Sequence, residues 1–448
     1  MVYFTGTLYW IARVMTVYGG LQDWVAVPVN AALIAYLALF PALFAVVMRR
    51  LVRAHGPAAL LAAPMVWVTT ELGRAYLFTG FPWVLLGYSQ ATELPIAQLA
   101  SVFGVYGVSA LVASVSAVAA FVVATRDRRR RNLAVAAVTS LLVVVSVWGS
   151  MRAAKHEWTS EGDPVKVGLV QGDVDQAEKW DVARAASIFR TYIHMTRQAI
   201  AGGAQFVIWP ESSTPFYFEQ DRAGADEIRA IARQSGVPIL VGSDQIDPGP
   251  PTTYYNAAFL VRADGSTGGV YRKIHLVPFG EYVPLKRVFF FAAPLVEAVS
   301  DFSAGSEAVL LPVRGHLVST SICYEIVYPD LVRRFVRGGS ELLTTITNDA
   351  WFGRTSAPYQ HFEQASMRAI EEGRYLVRSA NTGISGIVDP YGRVLNRSDI
   401  YQPAVVIGEA RFLRVTTIYT KIGDVFAYAS AILTLLALAL AGRVKSLV

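Results

Sequence analysis

Three strings in a chain of 448 residues carry reactive groups at what read as strand ends: Trp209-Pro210-Glu211, Tyr271-Arg272-Lys273, and Ser321-Ile322-Cys323-Tyr324-Glu325. A carboxylate, an amine and a thiol together suffice for covalent acyl chemistry. The thiolate is the nucleophile, the carboxylate can take the thiol proton, and the ammonium can stabilise the oxyanion formed when a carbonyl is attacked. Histidine is the usual base for a thiol, but His55, His156, His194, His275, His316 and His361 show neither metal spacing nor a Ser or Cys signature around them. Each residue alone is a weak signal, because Glu and Lys at loop starts are normally solvated and a lone cysteine is most often a small buried hydrophobe. Their order and local contexts carry the weight.

The elements that must position these groups are of two kinds. Apolar residues make up 53% of the chain and charged ones only 17%, against roughly 25% charged in an ordinary soluble domain. With 35 Gly, 21 Pro and a single Cys, the composition excludes a disordered chain, a collagen and a disulfide scaffold. Crossing a bilayer takes about 20 apolar residues, and residues 25–48, 57–78, 96–124, 133–150 and 425–441 supply such runs. Residues 4–18 are shorter and carry Arg13; they are read as a sixth span packed against the others, with no basic start or small-residue cleavage site to make them a signal peptide.

Basic loops mark the cytoplasmic side of a membrane. Arg49, Arg50 and Arg53 follow one span and Arg126 and Arg128 to Arg131 follow another, whereas the loop 79–95 between them has Glu93 and no Lys or Arg. Alternation then leaves residues 151 to about 423 outside and returns Arg443 and Lys445 to the cytoplasm. The net charge of +6 therefore reports orientation and gives no reason to expect nucleic acid. A transporter would hold ionisable residues inside several spans; only Glu71, Arg74 and Arg13 qualify.

The exported stretch reads as α/β. Strand-length runs at 165–171, 205–209, 238–242, 256–262, 317–322, 342–347 and 385–388 alternate with helical patterns at 182–201, 223–235, 329–336 and 358–372. Glu211, Lys273 and Cys323 fall at or near strand ends, where α/β sheets place their chemistry. Outside the cytoplasm a thiol without a disulfide partner risks oxidation or mispairing, so keeping Cys323 favours a use for it.

These strings resemble the motifs of the carbon-nitrogen hydrolase (nitrilase) superfamily, together with Ile274-His275-Leu276-Val277-Pro278-Phe279-Gly280-Glu281 after Lys273. Flanked by spans, the chain is similar to the apolipoprotein N-acyltransferase family. Thr79-Gly80-Phe81-Pro82-Trp83, Gly87-Tyr88-Ser89-Gln90, Asn348-Asp349-Ala350-Trp351-Phe352-Gly353 and Ile387-Val388-Asp389-Pro390-Tyr391-Gly392-Arg393 agree with it. The resemblance implies a membrane protein of the bacterial inner membrane. Its units would be a transmembrane bundle over 1–150, an extracytoplasmic nitrilase-like α-β-β-α sandwich over 151–422, and a C-terminal transmembrane helix and tail over 423–448. It implies Cys323 as nucleophile, Glu211 as general base and Lys273 as oxyanion stabiliser, with Glu281, Tyr324, Glu325 and Trp180 in support. The activity implied is ping-pong transfer of an acyl chain from a phospholipid, through a Cys323 thioester, to the N-terminal amine of a diacylglyceryl-cysteine lipoprotein. No metal or organic cofactor is implied, and a monomer is expected.

The family typically has eight spans, seven before the catalytic domain, against six read here. Either this chain starts late or its lineage lacks two helices; orientation is the same in both cases. The apolar run 288–296, with Phe289, Phe290 and Phe291, suggests an arm that dips into lipid, or else a buried strand. A membrane-anchored amidase or nitrilase using the same triad on a soluble substrate is the main rival reading.

Overall fold

The structure, a computed structural model, describes residues 1–176, 179, 181–278, 280–282 and 302–444. Trp180 and the run 288–296 lie outside the described residues.

Apolar length shapes the start and end of the chain. The first helices are α1 (Val2–Leu8), α2 (Trp10–Val17), α3 (Asp23–His55), α4 (Ala63–Tyr76), α5 (Ala100–Ala124) and α6 (Arg128–Ala154). Among the described residues, Asp23–His55, Ala100–Ala124, Arg128–Ser160 and Val425–Gly442 are long and apolar enough to cross a membrane. Asp127 caps α6, accepting from the backbone N–H groups of Arg129 and Arg130, so the basic cluster opens the helix.

Two of the expected spans differ. The segment 57–78 is a 3-10 turn Pro57–Ala62, the 14-residue α4, and a second 3-10 turn Leu77–Thr79. Its charges face inward: Glu71 Oε1 accepts from the Leu86 N–H at 2.7 Å, and Arg74 donates to the Trp83 carbonyl at 2.9 Å. The polar face that shortens the apolar run thus ties down the 83–86 loop. Residues 4–18, expected as a sixth span, are not one long helix. They make two short helices whose Phe4, Leu8 and Trp10 join the core of the central domain, and Tyr18 Oη donates to the Ala350 carbonyl at 2.8 Å. Phe4, Leu8 and Trp10 are buried by protein, which hydropathy cannot tell from burial by lipid, while Val2, Tyr9 and Val17 stay exposed.

Alternation with a period of two builds the central domain. Its strands are β1 (Asp163–Gln171), β2 (Phe206–Ile208), β3 (Ile239–Asp247), β4 (Thr253–Val261) and β5 (Thr267–Arg272), then β6 (Leu311–Val313), β7 (His316–Ile322), β8 (Leu342–Thr347), β9 (Leu376–Ala380), β10 (Gly386–Val388), β11 (Val394–Arg397) and β12 (Ala404–Phe412). They form two six-stranded sheets, ordered β12-β1-β2-β3-β4-β5 and β11-β10-β9-β8-β7-β6. Val165, Val167, Leu169, Phe206, Ile208 and Leu240 share a core with Val318, Ile322, Leu343 and Ile346 of the second sheet. Their neighbours Val170, Val207, Ile239 and Val241 point the other way, onto α7 (Val182–Ala201) and α8 (Arg222–Ser235). Helices α9 (Pro329–Arg337) and α10 (Ala357–Glu372) cover the second sheet. The layers are therefore α-β-β-α.

The domain is stitched to the bundle at a break in α5. Gly104 has φ +65°, and a side chain there would come within 2.5 Å of the Tyr419 ring. The break frees the Val105 N–H, which donates to Glu371 Oε1 of α10 at 2.9 Å. The last helix, α11 (Val425–Val444), packs on α4 and α3.

Candidate active site

Glu211 is placed by a loop pressed onto its sheet. Strand β2 has only three residues, and Trp209, just past its end, is fully buried, donating from Nε1 to Thr196 Oγ1 at 2.7 Å. Pro210 then turns the chain across β3 at Gly242, where a side chain would lie 2.1 Å from the Pro210 carbonyl oxygen and 2.9 Å from the Glu211 Cα. The Glu211 carboxylate is 6% exposed. Its Oε1 accepts from Asn256 Nδ2 at 2.7 Å and Lys273 Nζ at 3.4 Å, and its Oε2 from the Asn348 N–H at 2.8 Å. A carboxylate oxygen has two lone pairs. Oε1 is therefore filled, and among the described residues one position on Oε2 remains open to a proton.

Lys273 follows β5, its N–H donating to the Asn256 carbonyl at 2.8 Å. The ammonium is 1% exposed and reaches Glu281 Oε1 at 2.8 Å as well as Glu211. Burial opposes its charge, but the Glu281 and Glu211 carboxylates outweigh that and raise the lysine above its ordinary value. Glu281 is held in turn by the Val277 N–H at 2.7 Å. Asn256 Nδ2 also donates to Glu281 Oε1 at 3.1 Å, so one amide bridges both carboxylates.

Cys323 stands where β7 ends and a 3-10 turn, Cys323–Val327, begins. Its φ of +52° is costly for a residue with a side chain. The first N–H groups of such a turn lack partners within it. Burial first, and then the Glu211 carboxylate, push the thiol well above its ordinary value, with Lys273 acting the other way. At rest the sulfur carries its proton.

Glu325 explains how the strained turn is held. Its Oε2 accepts from the Ile322 N–H at 2.7 Å, and its Oε1 from Tyr271 Oη at 2.7 Å and from the Ile274 and His275 N–H groups at 2.6 and 3.0 Å. One buried carboxylate thus brackets Ile322, next to Cys323, and Ile274, next to Lys273. Burial pushes it up to about 7 despite these four donors. Tyr324 turns the other way, its ring stacked on Trp83 at 6.2 Å, while Tyr328 Oη donates to the Gly80 carbonyl at 3.2 Å. The Thr79 to Trp83 segment is therefore a wall of this site.

Several residues here went unassigned in the sequence. His361 Nε2 lies 3.2 Å from the Cys323 carbonyl oxygen and its Nδ1 3.0 Å from Asp349 Oδ1; Arg378 donates to Asp349 Oδ2 at 2.8 Å. All three side chains are fully buried. Burial opposes the Asp349 charge, but Arg378 and His361 outweigh it and hold the carboxyl at about 2. That contribution, about 2 kcal/mol from the shift, is present above the unfolded value of 3.8 and is lost as pH falls through about 2. Asp349→Asn should therefore lower the melting temperature at pH 7 while removing part of the wild-type decline between pH 4 and 2; parallel pH–stability curves would contradict this. Lys179 is also buried, beside Asp244 and Glu211. Among the described residues, no group of three or more His, Cys, Asp and Glu could hold a metal ion.

The structure brings Glu211, Lys273, Glu281, Tyr324 and Glu325 to one place around Cys323; Trp180 lies outside the described residues. Residues 166–418 match the carbon-nitrogen hydrolase family, and residues 1–118 match the apolipoprotein N-acyltransferase N-terminal domain. The chain is 40% identical to the apolipoprotein N-acyltransferase of Geobacter metallireducens, over 99% of this chain and 86% of that protein. It is 37% identical to the apolipoprotein N-acyltransferase of Methylococcus capsulatus, over 93% of this chain and 81% of that one. Among solved structures it is similar to Saccharomyces cerevisiae Nit3 of the nitrilase superfamily, with a TM-score of 0.44 at 17% identity, covering 55% of this chain and 90% of that one.

Proposed function

The chain belongs to the apolipoprotein N-acyltransferase family, and from that premise we propose that its buried Glu211, Lys273 and Cys323 move an acyl chain from a phospholipid to the N-terminal amine of a diacylglyceryl-cysteine lipoprotein. The observation that carries the reading is the position on Glu211 Oε2 left open among the described residues, in a site where the thiol is held protonated and an ammonium stands beside both.

In the first half-reaction the thiol proton passes to Glu211 as Sγ attacks the ester carbonyl carbon. Moving the proton leaves the net charge of the site unchanged and places a thiolate near Lys273. Lys273 and the N–H groups at the start of the Cys323 turn hold the tetrahedral oxyanion. The carbon–oxygen bond breaks, the leaving glyceryl oxygen takes the proton from Glu211, and a lysophospholipid departs, leaving a thioester. In the second half the lipoprotein amine attacks the thioester carbon and Glu211 takes a proton from the nitrogen. The carbon–sulfur bond breaks, and the proton returns to Cys323. Glu281 positions Lys273, and Glu325 holds the two reacting loops in register.

The same reading divides the chain into a bundle over 1–150, a catalytic domain over 151–422 and a C-terminal helix over 423–448, working as a monomer. It puts the domain outside the cytoplasm, supported by the basic residues at Arg49 to Arg53 and Arg126 to Arg131. Both substrates are anchored in the bilayer, so the helices hold the thiol at the depth of the ester. The test is detergent-solubilised enzyme with acyl-labelled phospholipid and a diacylated lipopeptide: label should reach the lipopeptide amine. Release of label only as free fatty acid, with soluble amides hydrolysed instead, would overturn the reading in favour of a membrane-anchored amidase.

A further inference from the structure

The segment Asp389-Pro390-Tyr391-Gly392-Arg393 has no part in the site around Cys323. Tyr391 follows β10, which runs antiparallel to β9, whereas β7, β8 and β9 are parallel and their C-terminal ends face the thiol. Tyr391 therefore lies at the opposite edge of the sheet from Cys323. There it lines a recess of about 180 Å³ with Trp148, Arg152, Lys155, Glu157 and Trp158.

The recess is rigidly built. Trp158 and Tyr391 stack at 5.3 Å with 13° between their planes, and Gln98 Nε2 of the bundle donates to the Tyr391 carbonyl at 2.8 Å. Asp389 accepts from the Tyr391 and Arg393 N–H groups, both at 2.9 Å. The Arg152 guanidinium lies 4.3 Å from the Trp158 ring centre, 5.8 Å from Trp148 and 6.0 Å from Tyr391. Its Nε is buried and has no hydrogen-bond partner among the described residues. Arg152 and Lys155 outnumber Glu157, the one carboxylate lining the recess.

Depth identifies the occupant. From Leu133, where the apolar part of α6 begins, to Arg152 the helix rises about 28 Å, close to the roughly 30 Å of a bilayer's hydrocarbon core. With Arg128 to Arg131 at one face of the bilayer, Arg152 reaches the other, among the tryptophan and tyrosine side chains that favour that level. Lipid phosphates lie there, and a guanidinium stacked on an aromatic face keeps its edge free to donate to one.

We propose that this recess binds the phosphate of an anionic phospholipid in the leaflet beside the catalytic domain, as a site separate from the acyl-donor site. The bound lipid spans the joint between α6 and the 389–393 turn and fixes the domain's seat on the membrane. Intact-complex mass spectrometry of the detergent-purified full chain tests this, with phosphatidylglycerol, phosphatidylcholine or inorganic phosphate added separately. Wild type should retain one phosphatidylglycerol in preference to phosphatidylcholine, and Arg152→Gln/Lys155→Gln should weaken that retention about tenfold or more while acyl transfer at saturating donor is unchanged. Lys155→Gln alone, at an exposed position, should give a smaller loss and guards against misfolding of the double variant. Equal retention in wild type and both variants, equal retention of the two lipids, or binding of inorganic phosphate without lipid preference would overturn the site. Acyl transfer falling in step with retention would overturn its separateness from the donor site.

Discussion

Glu211→Gln should lower the rate of Cys323 acylation by about 10²–10⁴-fold, the range that a positioned general base contributes. The substitution keeps the size of the side chain and removes both the charge and the proton-accepting position on Oε2. It also creates a mismatch. Oε1 faces two donors, Asn256 Nδ2 and Lys273 Nζ, and Oε2 faces a third, the Asn348 N–H. A glutamine must turn its own NH₂ toward one side, opposing donor to donor at a cost of about 1–3 kcal/mol. The loss should therefore appear in single-turnover release of lysophospholipid, with substrate binding little changed. A rate within tenfold of wild type would remove Glu211 from the proposed chemistry.

Lys273→Met should cost about 10²–10³-fold in the same measurement through the oxyanion alone. It should also destabilise the fold by about 3–5 kcal/mol, because Glu211 and Glu281 are left buried with no cation between them. Stability and chemistry can be separated. Lys273→Met/Glu281→Gln removes one of the stranded carboxylates and should recover much of the melting temperature, because Asn256 then bridges one charge instead of two. Acylation should stay as low as in the single variant. Activity recovering together with stability would mean that Lys273 acts only by neutralising its neighbours.

The same pair of carboxylates shows what could be read before any coordinates. Glu211, Lys273 and Cys323 stood out by their order and local sequence, and helices such as Val182–Ala201 and strands such as Leu342–Thr347 follow their hydrophobic pattern to the residue. Strands whose burial is unusual were missed. Thr267–Arg272 contains two glycines, Val394–Arg397 is an exposed edge, and Leu376–Ala380 holds Arg378 in a fully buried strand, which is possible only because Asp349 pairs with it. Leu311–Val313 is too short to show a period, and Ala404–Phe412 alternates only loosely where it lies against β1. His361 could not be found by spacing, since its partners Cys323, Asp349 and Arg378 come from other elements. Asn256 had no motif at all, and its role exists only once β4 lies beside β5. Apolar length alone did not show that residues 4–18 divide into α1 and α2, with Phe4, Leu8 and Trp10 packed into the domain core.

The account rests on Cys323 carrying the acyl group. Intact mass measurement after incubating the protein with a phospholipid of defined acyl chains, and no amine acceptor, tests this most directly. The expected result is an added mass of one acyl chain on wild type, mapped to the peptide containing Cys323, released by hydroxylamine at neutral pH and missing in Cys323→Ser under the same conditions. An adduct on another residue, or acyl transfer to the lipopeptide at wild-type rate by Cys323→Ser, would contradict it.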